Sequence, residues 1–174
     1  MTLDLRVFRE ELTRLITGEF YQLPGSDTFN AVAYDLRNNA QATQQGSEYQ
    51  LSWRPWSGAT LAWGAYRANT VSDKVAVQRS VPAESQSLVW LQQIDPSLSL
   101  FSAYVRTQPM TWLGEATAAD TQKILMLSLQ KTVKLEQARV RTSLTLRQPA
   151  GQFVEYRELQ SLARTVWLGV QIER

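Results

Sequence analysis

Cysteine and histidine are both absent from the 174 residues. Without cysteine there is no disulfide framework, no thiolate nucleophile and no sulfur-ligated metal. Without histidine, Ser-His-Asp chemistry, an imidazole base and the commonest nitrogen ligand for metals are lost as well. No glycine-rich phosphate loop or metal-ligand motif compensates, so no cofactor is expected. Neither sign of charge dominates. The 18 basic and 16 acidic residues leave a net charge of +2 and are spread along the chain, so a pI near 9.0 is weak grounds for a nucleic-acid partner. No stretch approaches the roughly 20 consecutive apolar residues that a membrane-spanning helix needs. Met1 to Arg6 carries no basic segment followed by an apolar one, so no signal peptide is read there.

What the chain does have is alternation of apolar and polar residues, the mark of strands with two unlike faces. Val166, Leu168, Val170 and Ile172 alternate with Thr165, Trp167, Gly169, Gln171 and Glu173. Val140, Thr142, Leu144 and Leu146 alternate with Arg139, Arg141, Ser143, Thr145 and Arg147. Tyr49, Leu51 and Trp53 do so with Glu48, Gln50, Ser52 and Arg54, and Leu3, Leu5 and Val7 with Asp4, Arg6 and Phe8. Leu125, Leu127 and Leu129 continue the theme. Eight strands follow, over 2–16, 38–54, 59–69, 85–94, 97–108, 120–133, 138–148 and 164–174. Two local ambiguities attach to them: residues 8–16 also show helical spacing, and the pattern over 98–107 changes phase near Phe101, as a bulge would cause.

The connections alternate in length. Arg54-Pro55-Trp56-Ser57-Gly58, Ile94-Asp95-Pro96-Ser97 and Lys134-Leu135-Glu136-Gln137 are tight, with proline and glycine where turns favour them. Residues 17–37, 70–84, 109–119 and 149–163 are long. Short turns on one side and long loops on the other are the habit of outer-membrane barrels, and an even strand count returns the chain to its starting side. Because only helices and closed barrels satisfy backbone polar groups in lipid, a membrane reading of this chain is a β reading. Trp53, Trp56, Trp63 and Trp90 fall within a few residues of short turns, where an interfacial girdle sits, while Trp112 falls in or beside a long loop.

Alternation is equally normal in a soluble sandwich or a lipocalin-like barrel, and eight strands suffice to close a small barrel. A soluble binder, however, needs an apolar interior face, and the face with Arg139, Arg141 and Arg147 is charged. A carboxylate-dependent enzyme such as a glycosidase needs two suitably spaced acids. The close pairs are Glu10 with Glu11 and Glu155 with Glu158, and neither is flanked by other site chemistry. Catalysis is not expected.

The order of several stretches resembles the C-terminal barrel of TonB-dependent outer-membrane receptors, which import siderophores, cobalamin and similar scarce nutrients. Thr2 to Ile16 is similar to a receptor strand, and Gln45 to Pro55 to the recurrent strand that precedes a periplasmic turn. Met110-Thr111-Trp112-Leu113-Gly114 resembles a late extracellular loop motif, and Arg164 to Arg174 the closing strand. The resemblance covers nearly the whole chain, each motif being degenerate and their order the specific part. It departs at the end, where the family usually has an aromatic and this chain has Arg174. No plug domain or TonB box is recognised. The resemblance implies an all-β, antiparallel up-and-down transmembrane barrel segment, residues 1–174 being the C-terminal part of a barrel of roughly 22 strands around a plugged lumen. It implies the outer membrane of a Gram-negative bacterium, with lipid, the remaining strands and plug as partners, and TonB reached only through an N-terminal part. Glu48, Gln50, Arg139, Arg141 and Arg147 are then candidates to face the lumen. The alternative is a self-contained eight-stranded barrel, a small outer-membrane protein or a lipocalin-like binder.

Overall fold

The computed structural model describes residues 1–22, 32–111, 118–150 and 163–173. Eight strands form one antiparallel sheet in a meander: β1 (Thr2–Gln22), β2 (Val32–Trp53), β3 (Ala59–Ser72), β4 (Glu84–Asp95), β5 (Leu98–Thr107), β8 (Gln122–Lys134), β9 (Arg139–Ala150) and β10 (Thr165–Glu173). One short helix, α1 (Val75–Arg79), lies between β3 and β4, and a two-stranded ribbon of β6 (Met110–Thr111) and β7 (Ala118–Ala119) lies between β5 and β8. Among the described residues the sheet is open: β1 pairs only with β2, and β10 only with β9. The eight antiparallel strands and the alternation of short and long connections are those expected from the sequence.

The short turns have local causes. At 54–58, Pro55 pre-sets the turn and Gly58 adopts φ +79, which glycine takes without a Cβ penalty. Its carbonyl accepts the Gln93 N–H at 2.7 Å. At 96–97, the Asp95 carboxylate accepts the Ser97 N–H at 2.6 Å and the Ser97 hydroxyl at 2.7 Å, an Asx-type turn. At 135–138, the Leu135 N–H donates to the Ala138 carbonyl at 2.7 Å.

The two ambiguous places resolve differently. Residues 8–16 are strand, with a register break between Leu12 and Leu15 and Arg14 at φ 58. A bulge inserts an extra residue, so Leu12 and Leu15 fall opposite Ala42 and Ala40 despite their odd spacing. Period two plus a bulge had imitated period 3.6. Strand β1 and its partner also run further than expected, to Gln22 and from Val32. By contrast, Phe101 marks no bulge. β5 keeps unbroken register with β8 from Leu98 to Thr107, and the only shift against β4 lies between Gln93 and Asp95. The phase change arises because β5 is apolar on both faces, with Leu98, Leu100 and Tyr104 on one and Phe101, Ala103 and Val105 on the other.

Candidate functional site: the two faces of the sheet

Residues directly opposite each other on paired strands point to the same face, so the registers assign a face to every strand residue. One face joins Leu3 and Leu5 on β1 to Leu51 and Tyr49, then Trp63, Leu61 and Trp90, Leu88 and Tyr104, Leu125, Leu127 and Leu129, Leu146 and Leu144, and finally Val166 and Leu168 on β10. All eight strands contribute. This face is not covered: Leu168 is 77% exposed, Leu3 66% and Val170 62%. Among the described residues the buried side chains are small or medium ones, and no large side chain is fully buried. There is no dry centre between two layers.

The apolar band also slides along the hydrogen-bonded rows. Its charged or polar boundary on the long-loop side is Arg9 on β1, Arg67 and Glu84 on β3 and β4, Arg106 and Lys123 on β5 and β8, then Gln148 and Arg164. Stepping across the registers, that boundary slips by about one residue per strand. With about 3.3 Å per residue and about 4.8 Å between strands, a slip of just under one residue per strand inclines the strands to the band by roughly 30°. On β1 and across β3 and β4 the boundary carries ion pairs, Arg9–Glu11 at 3.7 Å and Arg67–Glu84 at 3.5 Å.

The opposite face is polar at both ends of the sheet and mixed in the middle. Over β1–β4 a groove of about 490 Å³ is lined by Asp4, Arg6, Glu48, Gln50, Tyr66 and Ser87, among others. Arg6 bridges Glu10 at 3.1 Å and Glu48 at 3.4 Å and lies over the Phe8 ring, 5.5 Å from its centroid. Phe8 stacks on Tyr66 at 6.1 Å, whose hydroxyl accepts from Gln44 at 2.5 Å. Phe8 stands opposite Gly46, where a Cβ would come within 2.2 Å of the Arg67 carbonyl oxygen. At the far end Arg139 and Arg141 approach Glu173 at 4.0 and 3.9 Å, and Arg141 donates to Gln171 at 3.3 Å. The centre carries Val89, Leu91, Phe101, Ala103, Val105 and Met126.

All five residues singled out from the sequence, Glu48, Gln50, Arg139, Arg141 and Arg147, lie on this polar face, but the structure does not bring them together. Glu48 and Gln50 belong to β2 and the three arginines to β9, on opposite sides of the sheet. Arg6, Glu10, Phe8 and Tyr66 were missed, although the alternation of Arg6 with Leu5 and Val7 already placed Arg6 there. Glu10 and Glu11 sit on opposite faces, each beside its own arginine. Glu155, Glu158, Trp112, Arg174 and most of the 110–114 motif lie outside the described residues. Of the girdle candidates, Trp53, Trp63 and Trp90 are on the apolar face, and Trp56 meets Trp90 edge-on at 6.1 Å. Trp63 and Trp90 are within strands rather than at their ends. Trp167 is on the polar face.

One long connection folds back onto the polar face. Val77 of α1 packs with Ala40 and Ala42, with Leu15 at the edge of the cluster, and Ala68 and Thr70 nearby on the same face are buried too. The loop is pinned where the β1 bulge leaves Gln41 without a ladder partner: the Asp73 carboxylate accepts the Gln41 N–H at 2.9 Å, and the Ser72 hydroxyl donates to the Gln41 carbonyl at 2.5 Å. The bond from Gln41 is the main reason the Asp73 carboxyl is held below the usual carboxylate range, with the Ser72 hydroxyl adding to it.

No protein-family model, curated protein or solved structure matches the chain. Among the described residues no group of acidic side chains is placed to hold a metal ion, and no helix is long and apolar enough to cross a membrane.

Proposed function

We propose that this chain supplies eight consecutive strands of an outer-membrane β-barrel, of the TonB-dependent receptor type that its sequence resembles, and takes part in importing a scarce nutrient. The observation that carries the membrane part of the proposal is the tilted apolar band. A sheet folded in water buries its apolar face against a second layer, whereas this one leaves large apolar side chains exposed on all eight strands. The band is inclined to its strands in the sense that a tilted barrel requires, membrane barrels tilting their strands by about 35–45°. The polar face, with Arg6, Glu48, Gln50, Arg139, Arg141 and Arg147, then lines the lumen, and the long connections lie outside. The receptor assignment follows from the sequence resemblance.

Lipid contact is tested with single-tryptophan variants of the full chain in vesicles containing brominated acyl chains. A variant retaining only Trp63 is quenched, and a variant retaining only Trp167, on the other face, is not. Equal quenching of the two removes the basis for the proposal.

A further inference from the structure

Of the eight residues buried among those described, Ala40, Ala42, Ala68, Thr70 and Val77 all lie where the connection between β3 and β4 meets the sheet. Alternation along β2 and β3 places the first four on the polar face, so this connection, which carries α1, lies over that face instead of extending away from the rim. Its seat is prepared by small side chains in β2 and β3 and by two hydrogen bonds to the backbone of Gln41. Beyond the seat, α1 also approaches β6 of the next long connection, so two loops meet over the same end of the sheet.

We infer that the segment from Asp73 to Ala83 is held inside the barrel mouth as a fixed constriction, with Val77 as its anchor. This rests on the membrane reading above and deepens it: whatever fills or enters the lumen at that end must fit beside α1. It also bears on the barrel's width. A helix with its side chains measures about 10–12 Å across, and an eight-stranded barrel is filled by its own side chains. A lumen that also holds α1 needs more strands than these eight.

The absence of cysteine makes the seat directly measurable. Val77 is 6% exposed and Val75, two residues earlier in the same helix, 60%. In the vesicle-inserted full chain, Val77→Cys reacts with a membrane-impermeant maleimide about tenfold more slowly than Val75→Cys, because it reacts only when the loop opens. Ala42 is 6% exposed and packs with Val77, so Ala42→Cys is protected in the same way, and adding Val77→Asp, which cannot keep a carboxylate in that apolar seat, raises its labelling to the rate of Val75→Cys. Equal labelling of Val75→Cys and Val77→Cys overturns the inference. So does an Ala42→Cys labelling rate that Val77→Asp leaves unchanged. If Trp63 remains quenched by brominated lipid in those samples, the constriction alone has failed; if that quenching is lost, the membrane reading has failed and the constriction with it.

Discussion

Leu144 offers the sharpest test of what wets the apolar face. It lies near the middle of β9, opposite Leu129 on one side and Leu168 on the other, close to the centre of the band on that strand, and is 51% exposed. Replacing it by arginine has different consequences in the two solvents. In water a half-exposed leucine on an open face is replaced with a change of about 0.5 kcal/mol or less. On the lipid side of a barrel, arginine near the midplane costs about 2–4 kcal/mol, which is roughly a 30- to 1,000-fold shift in the folding equilibrium. The control is Gln130→Arg, on the polar face between Ser99 and Ser143, where a charge remains in water. Both variants are compared with the parent chain in phospholipid vesicles by urea titration, followed by tryptophan emission. Leu144→Arg shifts the transition by the stated energy and Gln130→Arg by less than about 0.5 kcal/mol. A Leu144→Arg variant as stable as its control refutes the assignment of the faces.

Three further outcomes follow from the same geometry. Gly46→Val drives a side chain into the Arg67 carbonyl and Ala68 Cα and displaces Phe8; overpacking of this kind costs about 1–3 kcal/mol, read in the same titration, and a neutral result contradicts the close approach. Asp73 has a folded-state pKa below its unfolded one, so its contribution to the loop seat is complete above the ordinary carboxylate value and is lost as pH falls through the lowered one. Protection of Val77→Cys, read with a pyridyl disulfide that reacts in acid and taken relative to Val75→Cys, therefore declines below about pH 4, and Asp73→Asn removes that decline; a ratio whose pH profile is unchanged by the substitution refutes the role of Asp73. In buffer without detergent the chain aggregates, because β1 and β10 each present an unpaired edge beside an uncovered apolar face. A monodisperse species that melts cooperatively there would contradict it.

The sheet was legible because alternation is clear in five of the eight strands, the middle ones being less regular, and its bounds came within a few residues wherever a proline or glycine turn closed a strand. β1 and β2 ran longer than read because residues beyond 16 lose the clean alternation once Arg14 introduces a bulge. The polar face was legible at Glu48 and Arg139 for the same reason, since a charge between aliphatics fixes its side. What could not be read was which charged residues meet. That depends on register: Arg6 reaches Glu48 because β1 and β2 pair Arg6 directly with it, and no spacing within either strand encodes that pairing. The seat of α1 was hidden more deeply. Val77 lies in a segment with no periodicity of its own, and its partners Ala40 and Ala42 look like weak strand formers until a side chain fills the space they leave.

The alternation of tight and long connections also orders how the chain assembles. Closing the turns at 54–58, 96–97 and 135–138 costs little chain entropy, and hairpins of this kind form within microseconds. β2 with β3, β4 with β5, and β8 with β9 are thus local units that zip independently, and joining them requires the slower closure of longer segments. β1 and β10 belong to none of the three hairpins. Each is attached across a long connection, so β1 and β10 are added to a hairpin rather than formed within one.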